Sequence, residues 1–113
     1  MLAGMDDGHD DSLWDAFVAD MAATGKARER RSRYGDKPAV YVDSREVAHL
    51  EAPGIIDLRI TRQGWSQVAG EYGNDPVVCH DRSRRDWIEL RPQSPQDLRR
   101  LARLLAAAIA ENA

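Results

Sequence analysis

Cysteine, lysine and phenylalanine are almost missing from this chain. Cys79 stands alone among 113 residues. A lone Cys can form neither an intramolecular disulfide nor a thiolate metal site. There are 2 Lys and 1 Phe against 14 Arg, and Ala is the commonest residue. A GC-rich coding sequence produces that bias, so arginine content alone carries little functional weight. Long apolar runs are lacking too. The most apolar stretch, Leu104 to Ala110, falls far short of the roughly 20 residues that span a bilayer, so no membrane partner is expected. No G-x-G-x-x-G and no Walker A pattern occurs, and no Ser or Cys sits in a nucleophile elbow. No cofactor, no metal motif and no activated nucleophile are therefore expected. The first residues carry neither a basic n-region nor an apolar h-region, which makes the cytoplasm the expected location.

What is present is unevenly placed. Residues 1–25 hold six Asp and no basic residue, a local charge of −6. Residues 26–33, KARERRSR, hold five basic residues and one Glu, a local +4. The rest carries eleven basic and twelve acidic residues, giving −3 in all. Residues 1–11 read as a disordered acidic arm, since they lack apolar periodicity. Residues 12–113 read as a single domain.

A helix is expected from Ser12, with Leu13, Trp14, Phe17, Val18 and Met21 on one side and Gly25 as its stop. The basic run 26–33 either extends that helix or forms a solvated connector. Strands are expected at Ala39–Val42, Glu46–Glu51 and Ile55–Thr61. A short helix follows over Gln63–Tyr72, where Trp65, Val68 and Tyr72 share a face. Strands Val77–Asp81 and Asp86–Arg91 make a second hairpin. The final element is one long amphipathic helix: Ser94 caps it, Pro95 opens it, and Leu98, Leu101, Ala102, Leu105, Ala108 and Ile109 form its stripe. Hairpin links imply an α+β fold, with a mostly antiparallel sheet of about five strands and helices on one face.

Pairing the apolar face of the first hairpin sets Leu50 opposite Ile56 and Ala48 opposite Leu58. His49 then lies across from Asp57, and Val47 across from Arg59. That register asks for a three-residue loop, Ala52-Pro53-Gly54, whereas Pro53-Gly54 is also a good two-residue type II pair. The apolar match takes precedence, because a one-residue slip would expose a buried face. In the second hairpin, Cys79 opposite Ile88 and Val77 opposite Leu90 would put His80, Trp87 and Glu89 on the polar face. The weakness of that register is that Asp81 and Asp86 face each other. The candidate binding residues are thus His49, Asp57, Arg59, His80, Trp87 and Glu89.

At REVAHLE…GIIDLRIT…SRRDWIEL the chain resembles small bacterial proteins of the luciferase family. Ser32-Arg33-Tyr34-Gly35 with Pro38-Ala39, and Leu98, Leu101 and Ala107 to Asn112, extend the likeness over residues 31–112. The resemblance implies a fold and a cytoplasmic location. It implies no reaction, cofactor or catalytic residue.

His49 with Asp57 could act as an oriented base. An ordinary cross-strand polar pair explains the same residues, and such pairs are a common sheet device. A metal site of His49, His80 and Asp57 has no spacing signature behind it. The run 26–33 with Arg99, Arg100 and Arg103 could meet nucleic-acid phosphates, or form solvated faces. The leading expectation is a non-catalytic module that binds a small ligand or a protein partner on its polar sheet face. The alternatives are a small acid–base enzyme and, less favoured, a nucleic-acid-binding protein.

Overall fold

The computed structural model describes residues 12–32 and 35–113. The expected acidic arm, Arg33 of the basic run and the Tyr34 that follows it lie outside the described residues. Helix α1 (Ser12–Ala22) is followed by strands β1 (Ala27–Arg31), β2 (Pro38–Val42), β3 (Arg45–Ala52) and β4 (Ile55–Arg59). Helix α2 (Arg62–Tyr72), strands β5 (Val78–His80) and β6 (Trp87–Leu90), and helices α3 (Pro95–Arg100) and α4 (Ala102–Asn112) complete the order. The fold is α+β. Among the described residues its antiparallel sheet has six strands, in the order β1-β2-β3-β4-β6-β5.

The sixth strand is the basic run. Ala27–Arg31 neither extends α1 nor stays a connector; it pairs along its whole length with β2, from Ala27–Val42 to Arg31–Pro38. Four of its five residues are exposed. Charge on an edge strand discourages pairing with other chains, which is why the segment shows no apolar alternation. Trp14 on α1 donates its indole N–H to Glu29 at 2.7 Å and ties helix to edge.

The helices cover one sheet face, where Val40, Val42, Ala48, Ile56, Leu58, Ile88 and Leu90 pack against Phe17, Met21, Leu98, Leu101, Leu104 and Leu105. The expected long C-terminal helix is present but breaks at Leu101 (φ −91°, ψ 10°) into α3 and α4. Leu101 itself is fully buried. The apolar stripe stays inward on both sides of the break, with Leu98, Leu104, Leu105, Ala108 and Ile109 buried.

Strand β3 carries two register shifts. Ala48 pairs with Leu58, His49 with Asp57 and Leu50 with Ile56, as the apolar match requires; Ala52 then pairs with Ile55, leaving Glu51 as an extra residue. The two turn expectations are therefore compatible. Pro53-Gly54 forms the tight turn, with Gly54 at φ 77°, and the bulge at Glu51 restores the apolar register. On the other side, Val40 pairs with Ala48 but Tyr41 pairs with Glu46, so Val47 is the second extra residue. Val47 is not across from Arg59: it turns into the core, and Arg59 pairs with Trp87.

The second hairpin differs by one residue from expectation. Val78 pairs with Leu90, Cys79 with Glu89 and His80 with Ile88. Asp86 explains the slip. Its carbonyl accepts from Ile60 and Thr61 N–H groups, and its carboxylate accepts from Arg62 N–H. Asp81 instead turns locally to Ser83. Committing Asp86 to the β4–α2 junction opens the loop and keeps the two carboxylates from facing each other.

Candidate functional site

The sheet face away from the helices carries a cavity of about 650 Å³. Its walls include Glu46, His49, Glu51, Arg59 and Trp87, with Lys37 and Arg45 at the sides. Period-2 alternation puts His49, Glu51, Asp57 and Trp87 on this face. Glu46 joins them only through the bulge. Without the extra residue at Val47, Glu46 would share the core face with Ala48 and Leu50; with it, Glu46 turns outward beside His49.

His49 is the hub. Its Nδ1 lies 3.1 Å from Glu46 Oε2, and its Nε2 lies 3.0 Å from both Glu51 Oε1 and Asp57 Oδ2. The Trp87 ring sits beside the imidazole, with centroids 5.4 Å apart. The hydrogen bond to Asp57 is the main influence that raises the His49 pKa; burial opposes it, and Glu51 and Glu46 add to the rise. Asp57 is buried at 4% exposure. Burial pushes its pKa up, but the hydrogen bonds from His49 and Arg84 outweigh this and hold it at about 2. Arg84 grips Asp57 with two nitrogens, at 3.2 and 3.1 Å. Such bidentate grips fix a carboxylate's plane as well as its charge.

The remaining walls are similarly braced. Glu46 also accepts from Tyr41 Oη and Ser32 Oγ. Lys37 donates to the Glu51 carbonyl at 2.9 Å and faces its carboxylate at 3.4 Å. Arg59 donates to the Asn112 side chain, whose amide returns a hydrogen bond to the Arg59 carbonyl. The last turn of α4 thereby positions a cavity residue on β4. No ion pair joins Arg45 to another described residue.

Of the residues singled out from sequence, His49, Asp57, Arg59 and Trp87 come together. Glu89 is across from Asp57, yet its carboxylate turns to Arg91 and it does not line the cavity. His80 is elsewhere. It pairs with Ile88 on the helix-covered side and stacks on Trp65 of α2, with centroids 4.7 Å apart. Cys79, expected toward the core, is exposed. Sequence reasoning missed Glu46, Glu51 and Arg84. Glu51 was legible as the i+2 neighbour of His49 on one strand face. Glu46 was hidden by the bulge, and Arg84 by its place in an irregular loop.

No family model, no curated protein and no solved structure matches this chain.

Proposed function

We propose that this protein is a small-ligand-binding module whose site is the cavity around His49 and Trp87. The observation that carries the reading is the cavity's make-up: one wall is an aromatic plane, and Arg45, whose guanidinium has no ion pair among the described residues, stands at its edge. A concave site that joins apolar surface to a few placed polar groups is the usual form of a ligand pocket. The ligand class this fits is a small planar molecule bearing a carboxylate or phosphate. Its ring would lie against Trp87, and its anion would meet Arg45. The segments that carry the luciferase-family resemblance also supply Glu46, His49, Glu51, Asp57, Arg59, Arg84 and Trp87. Kinship with that family is part of the proposal, and so is the absence of catalysis.

The His49–Asp57 contact favours a second reading, acid–base catalysis. An oriented base needs one ring nitrogen free to meet substrate. Here carboxylates engage both, so the binding reading is preferred. Ligand-observed NMR with a panel of aromatic carboxylates and phosphates tests it. Saturable binding is expected for the wild type, weakened about tenfold or more by Arg45→Ala or Trp87→Ala, in line with the ~1.4 kcal/mol per tenfold that one charged or stacking contact supplies. Binding unchanged in both variants would refute the site.

A further inference from the structure

We propose that His49, Glu51 and Asp57 form a binding site for a first-row divalent cation, with Glu46 as its outer-sphere partner. The inference deepens the cavity reading and rests on the same geometry. Two carboxylate oxygens converge on one imidazole nitrogen: Glu51 Oε1 and Asp57 Oδ2 are each 3.0 Å from His49 Nε2. A protonated Nε2 has a single N–H and can direct it well at only one of them. The two oxygens and the nitrogen all lie within 4.8 Å of one another. A cation with bonds of about 2.0–2.2 Å places neighbouring donors roughly 3 Å apart. That is the Nε2–oxygen spacing on both sides.

The other ring nitrogen supports the assignment. Metal-bound histidines nearly always donate the second N–H to a carboxylate or carbonyl, which fixes the tautomer. Nδ1 of His49 lies 3.1 Å from Glu46 Oε2; with the neutral ring donating there, as a bound cation requires, the Nε2 lone pair faces the other two carboxylates. Glu46 is in turn held by Tyr41. Two bulges in one strand produce this arrangement, Val47 turning Glu46 outward and Glu51 standing at the second shift. Bulges that re-aim side chains beside functional sites are common.

One nitrogen with two carboxylate oxygens suits Mn²⁺ or Zn²⁺ better than a soft ion. The donor set is three-membered and opens on the cavity, which leaves coordination positions for water or for the anion of a ligand. Lys37 faces Glu51 Oε2, and Arg84 contacts both oxygens of Asp57. These cations orient the carboxylates and also compete with a metal, so the site binds less tightly than a closed structural zinc site.

The full chain, stripped with EDTA, is titrated with ZnCl₂ and separately with MnCl₂ by calorimetry. Saturable binding of a single ion is expected for one or both metals. Glu51→Gln, Asp57→Asn and Glu46→Gln should each weaken it by about tenfold or more. A Cys79→Ser, His80→Gln double variant should bind as the wild type does. Asp57 is buried and its variant can unfold, so the wild type is also examined by NMR with substoichiometric Mn²⁺. Broadening should reach the His49 ring before the His80 ring. Failure of both metals to bind overturns the proposal, as does wild-type affinity in Glu51→Gln and Glu46→Gln, or broadening centred on His80. Arg45→Ala separates the two readings, because it should weaken ligand binding and leave the metal titration unchanged.

Discussion

At the scale of single residues, His49 concentrates the chemistry of the molecule. Three carboxylates surround it, and the buried one, Asp57, has the strongest hold. Asp57→Asn removes the charge and keeps the shape. In chelated buffer, the His49 pKa is therefore expected to fall back toward its ordinary value, without disappearance of the Glu51 and Glu46 contributions. Histidine titration by NMR in wild type and variant measures this. An identical titration in both proteins would dissolve the pair. The cross-strand placement of His49 and Asp57 was legible because both apolar neighbours, Leu50–Ile56 and Ala48–Leu58, demanded it. Glu46 was not legible, since simple alternation assigns it to the opposite face.

At the scale of elements, two features carry clear costs. Gly54 occupies the left-handed region at φ 77°, and a Cβ there would meet nothing within 4 Å. Gly54→Ala should therefore cost only the backbone penalty, about 1–2 kcal/mol, as read from urea denaturation. A neutral result would mean that the turn relaxes into another type. Leu101 sits at the break between α3 and α4 and is fully buried. Leu101→Ala should cost about 2–5 kcal/mol, a large part of the stability of so small a domain. A loss under about 1 kcal/mol in the same assay would show that the helix break tolerates collapse around the cavity. The helical stripe itself was plain in the sequence. Its interruption was not, because the leucines and alanines around Leu101 favour helix on both sides. The basic run shows the opposite case: β1 has no strand signature of its own and is a strand because β2 offers it an edge.

At the scale of the whole molecule, buried and paired carboxylates make stability depend on pH. The folded Asp57 pKa of about 2 lies below its unfolded value. Its contribution is present above the unfolded pKa, near ~3.9, and is lost as pH falls through about 2. Asp75, gripped by Arg100 on α3, is shifted the same way. The His49 shift has the opposite sign. Its contribution is complete below the unfolded pKa of ~6.5 and is lost as pH rises through the raised folded value. Stability should thus be greatest between about pH 4 and 6.5. Asp57→Asn should flatten the acid limb, and His49→Gln the alkaline limb, of an unfolding free energy measured across pH. Equal slopes in wild type and variants would assign the pH dependence to other groups. Among the described residues, no helix is long and apolar enough to cross a membrane.

The sequence by itself determined the α+β class, the first hairpin's pairing and the burial of the C-terminal stripe. Each follows from local periodicity and from the cost of exposing an apolar face. It also set His49 beside Asp57. Only the tertiary structure decided the second hairpin's register, because that depended on Asp86 being drawn to the start of α2, where its partner Arg62 lies 24 residues earlier in the chain. Tertiary pairing also made the basic run a strand and placed the two bulges in β3. A bulge inserts one residue where the neighbouring strand has none, so it is a property of two strands together. That is why the gathering of the carboxylates around His49 was settled by the folded sheet.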